Sequence, residues 1–127
     1  MKINDPQILA EVEAAFARYE TALIGNDVET LTALFWNSPL TIRYGIGEIL
    51  YGSDEIAAFR TARAPIGLAR ELSRTVITTY GDDFATASTL FHRSSSRGKV
   101  GRQMQSWVRM PEGWRIVAAH VSLIDEA

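Results

Sequence analysis

Residues 69–123 read ARELSRTVITTYGDDFATASTLFHRSSSRGKVGRQMQSWVRMPEGWRIVAAHVSL, and this stretch decides the fold. Four segments rich in β-branched and aromatic residues lie near 69–80, 83–93, 99–110 and 113–123. They are parted by Gly81-Asp82, by Ser94-Ser95-Ser96-Arg97-Gly98 and by Pro111-Glu112-Gly113. Such residues suit a pleated, half-buried surface, and connections this short join antiparallel neighbours. The C-terminal half is therefore expected to be a four-stranded meander.

Upstream of the meander, a helix is expected from Ser53 as N-cap to about Arg63, with Asp54 and Glu55 in its first turn, Ile56 and Phe59 turned inward and Arg63 a candidate for the same side, before Pro65 and Gly67 break it. Leu40 to Tyr44 and Glu48 to Tyr51 read as two short strands around a turn at Gly45 and Gly47. The first segment, 7–24, places Ile8, Val12, Ala15, Phe16, Tyr19 and Leu23 at helical spacing, started by Asp5-Pro6 and stopped by Gly25. A shorter helix follows from Asp27 through Leu31, Leu34 and Phe35 and ends before Pro39. Helices first and a long meander afterwards make an α+β fold, with one strongly curved antiparallel or mixed sheet over three helices. At 127 residues and 46% hydrophobic content, the chain 1–127 suits one domain with one core and one site.

Thirteen basic and fifteen acidic residues give a formal charge of −2, so no broad field attracts nucleic acid or an anionic membrane, and any anion site must be local. The chain has no cysteine, which removes thiolate nucleophiles, disulfides and Cys-based metal sites. With no secretory pattern after Met1 and no apolar run of membrane-spanning length, a cytoplasmic location is expected. The two histidines, His92 and His120, are too few for a zinc site without help, and neither a nucleophile elbow nor a phosphate loop occurs. No metal and no cofactor are expected.

What remains are polar residues where the pattern asks for apolar ones. Tyr19 lies on the buried stripe of the first helix, either as a core tyrosine with a backbone partner or as a lining group. Arg43 stands in the middle of a short strand, where it points to solvent or, if buried, must be paired. Buried, it becomes a planar fork that can grip a carboxylate. Tyr44 faces the other way.

Arg60 and Arg63 share a helix face and either extend a basic lining or form a solvated edge, surface being expected for one of them. On the strand 101–110, Gln103, Gln105 and Trp107 share one face and Arg102, Met104, Ser106 and Val108 the other. Gln105 and Trp107 are the preferred lining pair for a small, flat, amide-like ligand, with Trp107 alternatively a core or dimer residue. His120, among Ala118, Ala119 and Val121, is either a hydrogen-bonded structural histidine or a proton donor near neutrality.

The element order resembles the NTF2-like cone of the ketosteroid isomerases, and Ala17-Arg18-Tyr19, Asn26-Asp27 and Thr41-Ile42-Arg43 allow a comparison of sites. By that resemblance Tyr19 matches an oxyanion-binding tyrosine, and Arg43 falls where the isomerases carry an aspartate base. A cation in place of the base implies anion binding in place of enolisation. From end to end, notably in Ala15 to Glu20, Gly25-Asn26-Asp27, Leu34-Phe35-Trp36, Thr75 to Gly81, Gly101 to Gln105 and Glu112 to Ser122, the chain resembles the AtzH/HpxZ-like family.

That resemblance implies a role beside an amidase-family enzyme in ureido-acid breakdown: oxalurate use in one branch, cyanuric acid degradation in the other. In the latter the implied activity is cofactor-free, decarboxylating amide hydrolysis of 1,3-dicarboxyurea to allophanate. Tyr19 and Arg43 would then be catalytic, and Arg60, Arg63, Gln105, Trp107 and His120 would bind the substrate. A homodimer is expected on either branch.

Overall fold

A computed structural model describes residues 1–127. The helices are α1 (Pro6–Ile24), α2 (Val28–Leu34) and α3 (Ser53–Ala62), and the strands are β1 (Ile42–Tyr44), β2 (Ile49–Tyr51), β3 (Glu71–Tyr80), β4 (Phe84–His92), β5 (Lys99–Met110) and β6 (Gly113–Asp125). The six strands form one open sheet in the order β2-β1-β6-β5-β4-β3, with β2 and β3 at its edges. The meander β3 to β6 is antiparallel throughout, as its turns predict, while β1 joins β6 in parallel and makes the sheet mixed. No helix is long and apolar enough to cross a membrane.

The helix ends follow their caps. Asp5 accepts from the Ile8 N–H with Pro6 in the first turn, and Asp27 accepts from the Thr30 N–H at 3.1 Å. Ser53, expected as a cap, is instead the first residue of α3. Gly52 precedes it at φ 87°, a conformation that costs glycine nothing, and its N–H is bound by the Thr41 carbonyl at 2.7 Å. That bond ties the start of α3 to the segment leading into β1.

Ile8, Val12, Phe16, Tyr19, Leu23, Leu31, Leu34 and Ile56 from the helices pack on Ala85, Ala87, Trp107, Trp114, Ile116 and Ala119 of the sheet. One irregularity governs which β6 residues take part. Ser106 pairs with Ala118 but Trp107 pairs with Ile116, so Val117 is an extra residue, a β-bulge. Strict alternation from Trp114 and Ile116 would turn 118 and 120 inward. The bulge shifts the parity, so Ala119 and Val121 are buried and His120 is exposed.

Candidate functional site

The helix-covered face of the sheet carries polar groups at its centre. Arg43 projects inward from β1 between Leu50 and Ala119 on the neighbouring strands. It is 6% exposed, while Tyr44 beside it is turned out. From α1 comes Tyr19, 2% exposed, and from α3 comes Arg60, fully buried. Arg60 Nη2 donates to the Tyr19 hydroxyl at 2.9 Å. Because the tyrosine oxygen accepts this bond, its own proton remains to be donated.

Five guanidiniums gather in this interior. Arg43 and Arg63 stack on Phe59, at 5.5 and 5.8 Å from its centroid, and Arg70 and Arg93 stack on Phe91, at 4.6 and 4.9 Å. Arg60 lies 5.7 Å from the Phe35 ring. Two carboxylates face them. Glu48 Oε1 accepts from Arg43 Nη1 at 2.6 Å, and Glu20 receives Arg70 through both oxygens. Arg43 Nε, Arg60 Nε and Nη1, Arg63 Nε and Nη2, and Arg93 Nε are buried donors without an acceptor.

The amides complete a donor-rich lining. Arg70 Nη2 donates to Gln103 Oε1 at 2.9 Å, and an arginine can only donate, so the Gln103 NH2 group is turned away and is left buried and unpartnered. Likewise the Trp107 indole donates to Gln105 Oε1 at 3.0 Å and fixes that amide. An arrangement of buried donors lacking acceptors calls for an acceptor-rich, anionic ligand.

Crowding of like charges is visible in the acid–base properties. Burial and the charges of Arg60 and Arg43 push Arg63 down to about 10, which still leaves it cationic at neutral pH. Arg43 and Arg93 are also lowered, chiefly by burial. Burial by itself would raise Tyr19, but the attraction of Arg60, Arg43 and Arg70 for its phenolate outweighs this, and its pKa lies below the usual tyrosine value.

The site therefore brings together Tyr19, Arg43 and Arg60, with Gln105 buried on the same sheet face and Arg63 half-buried at its margin. Trp107 is fully buried within the apolar core, where it orients Gln105. His120 corrects the expectation: it sits on the opposite face, edge-on to Tyr44 at 6.0 Å, because the bulge at Val117 reverses the strand's parity. There it borders a shallow cavity of about 330 Å³ with Ile42, Met104 and Ser106. No three His, Asp or Glu side chains converge to hold a metal ion.

Sequence reasoning missed Glu20, Glu48, Arg70 and Arg93, and it grouped Gln103 with Gln105 and Trp107 without choosing it. Glu48, Arg70 and Arg93 flank turns, where charged side chains are ordinarily solvated. Two glycines carried a usable signal. A Cβ on Gly45 would overlap the Glu48 carboxylate, and one on Gly101 would overlap the Phe91 ring. A glycine at or beside a strand marks close approach, and here the two mark the props of Arg43, Arg70 and Arg93.

Fold and interior together define a small α+β protein of the NTF2-like, cystatin-like kind with a cationic, donor-lined centre. The chain matches the AtzH-like family over residues 1–127 and belongs to it. It is similar to a protein of unknown function of the DUF3225 family from Pectobacterium atrosepticum, at 63% identity and a TM-score of 0.94, covering 97% of this chain and 95% of that one. A cystatin-like fold protein from Burkholderia xenovorans is 51% identical with a TM-score of 0.95, covering 100% and 99% of the two chains. At 20% identity and a TM-score of 0.76, covering 94% and 91%, an uncharacterised cystatin-like protein from Caulobacter vibrioides shares the fold alone. No curated protein matches the chain.

Proposed function

We propose that the protein is a cofactor-free enzyme that removes carbon dioxide from a small carboxylated urea, of the 1,3-dicarboxyurea to allophanate type. The observation that carries this reading is the set of buried, unpartnered donors on Arg43 and Arg60 beside a tyrosine whose proton is free. Glu48 holds one end of the Arg43 guanidinium, leaving the Nε edge to pair with a substrate carboxylate. Arg60 and Tyr19 then face the ureido core.

In the reaction the bond between nitrogen and the departing carboxylate breaks. Its electron pair stays on nitrogen, the carboxylate leaves as carbon dioxide, and the nitrogen takes the Tyr19 proton. Arg60, Arg43 and Arg70 stabilise the phenolate until water returns a proton to it. A dry interior favours a step in which a charged carboxylate becomes a neutral gas.

The test is carbon dioxide release from freshly generated 1,3-dicarboxyurea against the spontaneous rate. Acceleration by the native protein and its loss in Arg43→Ala are expected, and full activity in that variant would overturn the reading.

A second reading, a non-catalytic protein that binds the ureido acid beside an amidase in oxalurate use, is favoured by one observation. Both interior carboxylates, Glu20 and Glu48, are engaged by arginine, so neither stands free to activate a water. It predicts binding with no change in the ligand's chemical lifetime. On either reading a homodimer would cover the outer sheet face, where Tyr44, Val76, Phe84 and Met104 are exposed, and light scattering would give its mass.

A further inference from the structure

Arg63 and Arg93 have no role in the scheme above. Neither forms an ion pair, although together they hold three buried N–H groups without acceptors. Arg63 closes α3, and Arg93 follows β4. The loops that begin at these two residues touch, since the Ser95 hydroxyl reaches the Gly67 carbonyl at 3.5 Å. Arg93 also borders an open cleft of about 470 Å³ with Arg70, Glu71, His92 and Ser94. Each of the two arginines is braced on a phenylalanine that also carries a deeper one: Arg63 shares Phe59 with Arg43, and Arg93 shares Phe91 with Arg70.

Such bracing matters because a lone surface arginine loses rotamer freedom when it binds, whereas a stacked one is already held. Arg43 alone would receive one carboxylate and leave these outer donors idle and mutually repelling. A ligand with a second negative end relieves both conditions.

Resting on the decarboxylase reading, we propose that Arg63 and Arg93 form a second carboxylate subsite at the outer end of the site, making it selective for two-ended dianions over monoanions. The unpartnered Gln103 NH2 group lies along the same inner face and suits the carbonyl oxygen between the two ends. A dicarboxylated urea has this form: two carboxylates separated by three backbone atoms, the middle one a carbonyl carbon.

The test uses two inert probes with the same chain dimension, glutarate with two carboxylates and butyrate with one, titrated calorimetrically into native protein, Arg43→Gln and the double variant Arg63→Gln/Arg93→Gln. Glutarate is expected to bind native protein about 10- to 100-fold more tightly than butyrate, the gain from a second charge-assisted contact. In the double variant that preference disappears while butyrate affinity is unchanged, and Arg43→Gln weakens both probes. Should the double variant fail to fold, Arg93→Lys, which keeps the charge but loses the fork, is expected to lose part of the preference.

Equal binding of the two probes to native protein, or a preference undiminished in the double variant or in Arg93→Lys, overturns the outer subsite and leaves the inner one standing. Absence of any binding to native protein, or indifference of both probes to Arg43→Gln, overturns the inner anion site and the outer subsite with it.

Discussion

Arg60 and Arg70 are both buried in the same interior, and their surroundings are opposite. The Arg70 side chain, 1% exposed, is closed off by Glu20 on two nitrogens, by Gln103 and by the face of Phe91. Arg60, fully buried, has a tyrosine hydroxyl and two aromatic rings and no carboxylate at all. A buried charge with its partners in place is a strut; one without them is an unfinished interaction whose cost is met by the rest of the fold. The difference separates the part of this interior that holds the protein together from the part that awaits a ligand.

The most severe way to break the comparison is to open the strut. Glu20→Ala leaves Arg70 charged and unpaired and is expected to cost about 3–5 kcal/mol in urea unfolding, whereas Arg60→Met should leave the midpoint unchanged or raised. Equal losses in the two variants would show that Arg60 is structural as well.

Next in size, Arg43→Ala is expected to lower turnover of dicarboxyurea by about 100-fold or more with the unfolding midpoint little altered, since the effect lies in transition-state and anion binding. Gly45→Ala sharpens the point from a distance. Its Cβ overlaps the Glu48 carboxylate and Arg43 Nη1, the far ends of two flexible side chains, so these swing aside at little cost in stability, and Arg43 loses its tether and some of its ligand affinity in the same variant.

The smallest effect is on pH dependence. The Tyr19 hydroxyl titrates below its unfolded value of 10.0. In the window between the two values the folded protein binds fewer protons than the unfolded chain, so stability rises with pH there and is lost as pH falls through the lowered value. Native protein should therefore gain on Tyr19→Phe as pH climbs towards 10, while decarboxylation, which needs the protonated hydroxyl, slows across the same range. Flat profiles for both would remove Tyr19 as the proton donor.

Much of the architecture was legible because local signals agreed. Asp5-Pro6, Asp27 and Gly25 mark helix ends within a residue or two, and the turn clusters at 81–82, 94–98 and 111–113 separate the four strands of the meander. The site was legible only in part. Tyr19 and Arg43 were conspicuous as polar residues within apolar elements, and both lie at its centre. His120, open as a structural histidine or a proton donor, lies on the outer face because the bulge at Val117 reverses the strand's parity, and nothing in Val117-Ala118-Ala119 announces an extra residue. Arg60 was ambiguous because an amphipathic pattern of only three turns cannot say how far its buried stripe extends.

The sequence by itself determined the order of helices and strands, the antiparallel pairing of the last four, and the lack of any thiol chemistry, because these depend on residue type and near-neighbour spacing. Which charges are paired was decided only by tertiary structure. Arg70 meets Glu20 across 50 residues of chain and Gln103 across 33, and Arg60 meets Tyr19 across 41. Electrostatic partnership depends on distance in space and on exclusion of water, and neither is fixed until the helices have closed over the sheet.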